Sequence, residues 1–176
     1  MKTPLAALTL AVALAAGAAW ADPPKTLRVV ETVDIKAPLE TVWATVKDFD
    51  AINKWHPALS GDELVSGSNG KVGTVRKLTI ANGGGVVTER LLAYDDAHHS
   101  FRYSILESPL PVAHYSATIS VRPGAAGVTK VVWSGHFTRK NAADNPPEAE
   151  SDAGAIKVVK GIYRGGLDNL KKMLEK

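Results

Sequence analysis

Residues 37–57 read APLETVWATVKDFDAINKWHP, a helical pattern between segments that alternate like strands. Pro38 is suited to open a helix, and apolar residues recur at three- and four-residue steps from there to Phe49. Asp50 is of the residue type that caps a second short helix over residues 51–55, which Pro57 then ends. The stretch therefore predicts two short helices in succession, close to the start of a domain.

Strand patterns flank this helical stretch on both sides. Residues 27–35 alternate and are rich in valine and threonine, which is typical of a strand. Six further strands are predicted after the helices, separated by glycine, asparagine, aspartate and proline, at residues 62–66, 73–80, 86–94, 100–106, 113–121 and 129–138. A long final helix is predicted over residues 148–176, where apolar residues again recur at helical spacing.

The order of these elements predicts an α+β fold. Short loops between consecutive strands imply antiparallel neighbours. A seven-stranded antiparallel sheet curls, and one long helix packs in its concave side. We therefore expect a curved sheet around the C-terminal helix, with a cavity between the two.

The N-terminus has the features of a secretory signal peptide. Lys2 precedes an almost wholly apolar run over residues 5–19, and Ala19-Trp20-Ala21 forms a small-x-small cleavage site. We expect cleavage after Ala21, export to the bacterial periplasm, and a mature domain over residues 22–176. No later segment is predicted to span a membrane.

Composition excludes several function classes. The chain of 176 residues contains no cysteine, which excludes disulfides, thiolate metal sites and a catalytic thiol. The net charge of +3 is spread over scattered lysines and arginines, so no nucleic-acid partner is predicted. Residues 83–85 are glycines but lack the context of a phosphate-binding loop, and the five histidines have no metal-ligand spacing. We therefore predict neither a cofactor nor a metal.

The opening stretch also carries a family resemblance, together with Thr88-Glu89-Arg90-Leu91-Leu92, Val132-Trp133-Ser134 and Gly166-Leu167-Asp168-Asn169-Leu170. The chain resembles the polyketide cyclase/dehydrase and lipid-transport superfamily, also called SRPBCC, which includes START domains and the Bet v 1-like proteins. That resemblance implies the helix-grip fold. Among exported members, the chain is most similar to the MxaD-type accessory proteins of bacterial methanol oxidation.

Glu89 is the most informative polar residue in the predicted sheet. It shares a strand face with small or apolar residues, which places it on the concave side. A carboxylate there loses hydration, which raises its pKa unless a positive charge pairs with it, and Arg76 on the preceding strand is the candidate partner. Glu89 either orients a ligand or acts as a base, or it forms a purely structural pair with Arg76.

Aromatic residues complete the expected concave wall. Tyr103, Tyr115, Trp133 and Phe137 each share a strand face with apolar neighbours, and such a wall suits an apolar ligand with a few polar groups. Trp43 and Trp55 either line the cavity or only anchor the short helices, and His56 is best interpreted as a polar residue where a helix stops. The predicted cavity residues are Trp43, Trp55, Arg76, Glu89, Tyr103, Tyr115, Trp133 and Phe137.

Two classes of function fit these residues. The first is an exported, non-catalytic protein that binds a small apolar or aromatic ligand and assists a periplasmic oxidation system, for which the resemblance implies methanol oxidation and a dehydrogenase or cytochrome partner. The second is a cyclase or dehydratase that uses Glu89 with a tyrosine or histidine. No nucleophile motif is present. The absence of a catalytic signature favours the first class.

Overall fold

One strand, a short helix, six more strands and a long helix follow one another in the computed structural model, which describes residues 25–175. The predicted signal peptide and its cleavage site therefore lie outside the described residues. In the part that is described, no helix has both the length and the apolar character to cross a membrane. The elements are β1 Leu27–Ile35, α1 Leu39–Val46, β2 Leu59–Ser66, β3 Val75–Ile80, β4 Val86–Asp95, β5 Ser100–Glu107, β6 Val112–Pro123, β7 Thr129–Arg139 and α2 Asp152–Leu174.

The seven strands form one antiparallel sheet in the order β1-β7-β6-β5-β4-β3-β2. Strands β2 to β6 each pair with the next strand in the chain, and β7 pairs on its other side with β1, with Leu27 opposite Phe137. Helix α2 contacts β1 and β7. The predicted α+β helix-grip arrangement, with a curved sheet around a long C-terminal helix, is confirmed.

Register shifts bend the sheet and change which side chains at the end of β4 face the core. An extra residue enters β4 at Leu92, because Leu91 pairs with Tyr103 while Ala93 pairs with Arg102. Such a bulge bends the strand and reverses the facing of the residues beyond it. Ala93 is therefore exposed and Tyr94 packs against the core, which is the opposite of simple alternation.

The first predicted helix ends three residues early, and the second is a 3₁₀ turn. Helix α1 stops at Val46, and only Ile52–Lys54 is helical after it. Asp50 caps neither element, because its Oδ1 accepts a hydrogen bond from Nδ2 of Asn69 in the β2–β3 loop at 2.6 Å. The segment is held instead by burial of Phe49 and Trp55, each about 1% exposed.

Helix α2 begins four residues later than predicted. Residues 148–150 form a 3₁₀ turn, and Ser151 caps α2 by accepting a hydrogen bond from the Gly154 N–H at 3.1 Å. Ser151 satisfies a donor that has no partner within the helix, so the helix starts there. The buried face of α2 consists of Ala155, Val159, Tyr163, Gly166, Leu167 and Leu170.

Candidate functional site

A partly open cavity of about 230 Å³ lies between the sheet, the 3₁₀ turn after α1, and α2. Most of its wall is aliphatic. The polar groups in the wall are the side chains of His56, Glu89 and three tyrosines, with the indole of Trp133 beside them. The aliphatic part is formed by Ile52, Ala58, Leu59, Leu78, Ile80, Val87, Ile105, Leu110, Val158, Val159 and Ile162.

The aromatic part of the wall is a hydrogen-bonded cluster. The Trp133 ring stacks on Tyr163 with centroids 4.4 Å apart, and its Nε1–H donates to the Tyr103 hydroxyl at 3.0 Å. The hydroxyls of Tyr115 and Tyr163 are hydrogen-bonded to each other. Burial is the main cause that raises the pKa of each of the three phenols, so all three are neutral at physiological pH. They therefore act as polar contacts rather than as bases.

Two glycines let the helix approach this cluster closely. A Cβ on Gly135 of β7 would clash with the Tyr163 hydroxyl. A Cβ on Gly166 of α2 would lie 2.6 Å from Cδ2 of His56 and 3.1 Å from the Trp133 ring. Both positions therefore need glycine for close packing.

A buried ionic cluster adjoins the cavity on β2, β3 and β4. Arg76 Nε donates to Oε2 of Glu89 at 2.8 Å, and Arg76 Nη2 lies 2.7 Å from the same oxygen. Arg76 Nη1 donates to the carbonyl of Phe49 and lies 3.4 Å from Oδ2 of Asp62. The guanidinium also sits over the Phe49 ring, 4.0 Å from its centroid. One buried cation is thus shared by two buried carboxylates.

The pKa values of both carboxylates in this cluster are raised, although each lies near the positive charge of Arg76. Burial raises the pKa of Asp62 to about 6, and the Arg76 charge opposes that rise. Burial likewise raises the pKa of Glu89, while Arg76 again favours the ionised form through its charge and its hydrogen bond. Desolvation penalises both carboxylates, and a single arginine only partly compensates.

His56 lines the cavity but both of its ring nitrogens are engaged. Nδ1 accepts from the Ala58 N–H at 3.2 Å, which leaves Nε2 as the protonated nitrogen that donates to the Ile162 carbonyl at 3.0 Å. Burial lowers the pKa of His56, so the ring is neutral at physiological pH. His56 therefore ties α2 to the turn below it, and no nitrogen is free for acid–base work.

The eight residues predicted from the sequence divide into two groups. Glu89, Tyr103, Tyr115 and Trp133 line the cavity, and Arg76 lies behind Glu89 as its ion-pair partner. The remaining three lie outside the cavity wall, namely Trp43, Trp55 and Phe137. Whether any of the eight contacts a ligand stays a prediction.

Packing explains why those three lie outside the wall. Trp43 Nε1 donates to Oδ1 of Asp96 at 2.7 Å, in the β4–β5 turn at the other end of the sheet. Trp55 packs edge-on against Trp133, and Phe137 stacks behind Tyr115. Each of the three rings therefore packs against the structure around the cavity. For Trp43 and Trp55, this agrees with the interpretation that they anchor the short helices.

Three further site residues were missed by sequence reasoning. Tyr163 was overlooked because its neighbour Ile162 fits the helical repeat equally well, although the spacing from Val159 to Tyr163 carries the signal. The sequence indicates only a polar residue at a helix stop for His56, because no second acid–base group lies near it in the chain; its partner, the Ile162 carbonyl, is 106 residues away. Asp62 was predicted only as the first residue of a strand, and nothing in its neighbourhood indicates that it is buried.

A surface groove adjoins the cavity. It has a volume of about 860 Å³ and shares four wall residues with the cavity, which are His56, Ala58, Val158 and Ile162. Gly161 and Gly165 of α2 line the groove, and a Cβ on either would meet no atom within 4 Å. Unlike Gly135 and Gly166, these glycines leave space open.

No metal site accompanies the cavity within residues 25–175, because no three histidine, aspartate or glutamate side chains lie together there. His98 pairs with Asp95 at 2.7 Å and His99 with Glu40 at 3.2 Å. These two histidines lie in the turn before β5 rather than on a strand.

Residues 26–175 match the family described as polyketide cyclase / dehydrase and lipid transport. The chain belongs to this family. Class-10 pathogenesis-related protein 1 of Medicago truncatula is 31% identical over 132 residues, covering 70% of this chain and 82% of that protein. The solved structure of the protein XoxI from Bacillus cereus has a TM-score of 0.73 and 30% identity, covering 84% of this chain and 94% of that one.

Abscisic acid receptors of similar sequence match over a shorter region. Abscisic acid receptor PYL10 of Arabidopsis thaliana is 36% identical over 89 residues, which is 49% of this chain. The match spans only about half the length of that receptor, at 48%. Together with the apolar cavity, membership in this family identifies a ligand-binding fold.

Proposed function

We propose that this protein holds one small, mainly apolar ligand in the cavity and catalyses no reaction itself. The observation that carries the proposal is the cavity wall, which is largely aliphatic and aromatic and includes a few polar side chains. Walls of this composition are typical of sites that bind small molecules.

Cavity size limits the ligand. A dry engineered cavity of about 150 Å³ binds benzene, whereas drug-sized ligands occupy sites of about 300–1,000 Å³. The cavity here, at about 230 Å³, lies between the two. The proposed ligand is therefore a molecule with one ring, two fused rings or a short chain, rather than a long lipid.

The proposed route into the cavity is the adjoining groove. Val158 of α2 borders both volumes and is half-buried, so a larger side chain there would narrow the junction. Gly161 and Gly165 keep the outer part of the groove open.

A fluorescence titration tests both the binding and the route. Trp133 lies in the wall, so we expect toluene and naphthalene to change the tryptophan emission in a saturable way. Val158→Phe is expected to slow association at least tenfold. Lys172→Phe places the same ring on an exposed part of the same helix and should leave the rate unchanged. Flat titrations across apolar and aromatic compounds would contradict a carrier function.

The alternative function is a cyclase or dehydratase that uses Glu89 with a tyrosine or histidine. Glu89 and Tyr103 do share the cavity wall. However, Glu89 is bound to Arg76, the phenols are neutral, and both nitrogens of His56 are occupied. An acid–base pair within reach of one substrate is what such an enzyme requires, and these contacts weigh against it.

The proposed setting is the periplasm, after cleavage behind Ala21, in support of methanol oxidation. The sequence of the first 21 residues and the resemblance to MxaD-type proteins support this part of the proposal. N-terminal sequencing of the protein purified from the periplasmic fraction should give a sequence that begins at Asp22. Deletion of the gene is expected to slow methanol-dependent electron transfer to the periplasmic cytochrome. An unchanged rate, with loss of a cyclised or dehydrated metabolite, would favour the enzyme.

A further inference from the structure

Glu89 lies in the cavity wall and uses only one of its carboxylate oxygens for Arg76. Both arginine contacts go to Oε2, through Nε at 2.8 Å and Nη2 at 2.7 Å. Among residues 25–175, no donor forms a hydrogen bond with Oε1. Glu89 is 5% exposed, and it lies in the cavity wall. Oε1 is not among the fully buried atoms that lack a partner, so it keeps accessible surface and can accept a hydrogen bond from a ligand.

The other polar groups of the wall do not compete for that role. Both nitrogens of His56 are hydrogen-bonded, the Tyr103 hydroxyl oxygen already accepts from Trp133, and the hydroxyls of Tyr115 and Tyr163 share one hydrogen bond. The phenol protons that remain are donors and not acceptors, and the aliphatic remainder of the wall offers no hydrogen bond. Glu89 is therefore the strongest acceptor that the wall offers to a ligand.

We propose that the cavity selects neutral ligands with a hydroxyl group, an alcohol or a phenol, whose O–H donates to Oε1 of Glu89. This inference rests on the proposed ligand-binding function and names the class of ligand. A ligand carboxylate would face the charge of Glu89 at close range and is excluded. Glu89 would also attract a ligand ammonium, but the ammonium would lose its hydration in an apolar cavity, and a neutral hydroxyl group loses far less.

A matched series of one-ring compounds tests the proposal. Toluene, benzyl alcohol, benzaldehyde and benzoate have nearly the same shape and differ in the group that would face Glu89. Binding is measured by isothermal titration at pH 8, because a high pH favours the ionised form of a carboxylate whose pKa is raised. A hydrogen bond to a charged group contributes about 1.5 kcal/mol or more, so we expect benzyl alcohol to bind at least about tenfold more tightly than toluene or benzaldehyde. Benzoate should not bind measurably.

The Glu89→Gln variant makes the test specific to one atom. Its amide oxygen can stay on Arg76 while its NH₂ group replaces Oε1, which offers the cavity a donor instead of an acceptor. The preference for alcohol over aldehyde should then disappear. Glu63→Gln removes the same charge from an exposed site on β2 and should keep the preference. Near-ultraviolet circular dichroism confirms that each variant is folded.

The outcomes separate the two proposals. Equal binding of toluene, alcohol and aldehyde to the wild-type protein would overturn the hydroxyl inference and leave the carrier function standing. Tighter binding of benzaldehyde or benzoate than of benzyl alcohol would also overturn it, because the cavity would then present a donor. Failure of all four compounds to bind would overturn the carrier function together with the inference. The wild-type series alone decides these points if Glu89→Gln does not fold.

Discussion

The two ends of the interior differ in both packing and chemistry. Under α1 the interior is packed with aromatic rings: those of Trp43 and Phe49 pack on Phe101 at centroid distances of 6.4 and 6.1 Å. At the other end the space is partly empty, and the buried titratable side chains of the described residues border it or lie directly behind it. These side chains are His56, Asp62, Arg76, Glu89, Tyr103, Tyr115 and Tyr163. The packed end stabilises the fold. The end with the cavity and the buried polar groups is less favourable for stability, and it contains the candidate binding site.

Removing Arg76 should have the largest effect on this comparison. Arg76→Met leaves Glu89 and Asp62 buried without a cation, and breaking a buried ion pair in this way costs about 3–5 kcal/mol. The free energy of unfolding, measured in urea, should fall by that order at pH 8. The loss should be smaller at pH 5, because protonated carboxylates no longer need the cation. A loss that is equal at both pH values would show that packing of the arginine stem, rather than its charge, stabilises this end.

Two leucines on adjacent strands compare filled with unfilled surroundings directly. Leu91 of β4 has no exposed surface and does not border the cavity, whereas Leu78 of β3 lies in the cavity wall. Leu→Ala substitutions in cores cost about 2–5 kcal/mol, and the cost rises with the volume left empty. We expect Leu91→Ala near the upper end of that range and Leu78→Ala near the lower end, since Leu78 already lacks neighbours on one side. Equal losses in urea unfolding would indicate that the cavity is filled or collapsed in solution.

The sequence predicted the sheet side of the site better than the helix side. Alternation along β4 is enough to place Val87, Glu89 and Leu91 on one face, because the bulge comes only after Leu91. The facing of Tyr94, beyond the bulge, could not be read this way. A bulge depends on how two strands pair, and pairing is a tertiary property.

The helix side depends on contacts between distant parts of the chain. The periodicity of α2 predicts an apolar face but not its rotation to within one residue, which is the difference between Ile162 and Tyr163. The roles of His56 and Asp62 follow from partners that the fold brings near, the Ile162 carbonyl and Arg76. Residue type and local spacing carry no information about such partners.

Acid–base titration should separate the ionic cluster from exposed carboxylates. The pKa of Asp62 is about 6 in the folded protein and near 3.8 in the unfolded chain, so the folded state binds more protons between these values. This group therefore lowers stability as pH rises from about 4 to 6, and its full cost is present above pH 6. Glu89, whose pKa is also raised, acts in the same direction.

The Asp62→Asn variant measures this contribution. The urea concentration at the midpoint of unfolding should fall less for this variant than for the wild-type protein as pH rises from 4 to 6.5. Asp95→Asn is the matched control, because hydrogen bonds from His98 lower the pKa of Asp95 and that stabilisation is lost mainly below pH 3.8, so this variant should keep nearly the wild-type slope between pH 4 and 6.5. Identical slopes for wild type and Asp62→Asn would mean that Asp62 is hydrated in solution and is not part of the buried cluster.

The smallest expected effect comes from two adjacent glycines that meet different surroundings. A Cβ on Gly166 would press against His56 and Trp133, and overpacking of this kind costs about 1–3 kcal/mol. A Cβ on Gly165 would enter the open groove, where no atom lies within 4 Å, and replacing a helix glycine with alanine there gains up to about 1 kcal/mol. Gly166→Ala should therefore lower the urea midpoint and Gly165→Ala should raise it, although the two changes are chemically identical and one residue apart. Gly165→Ala should also bind benzyl alcohol as the wild-type protein does, because one methyl group does not close the groove. A change of stability in the same direction for both variants would mean that α2 does not pack closely on His56 and Trp133 at Gly166. The division of this helix into a packed face and an open face would then be wrong.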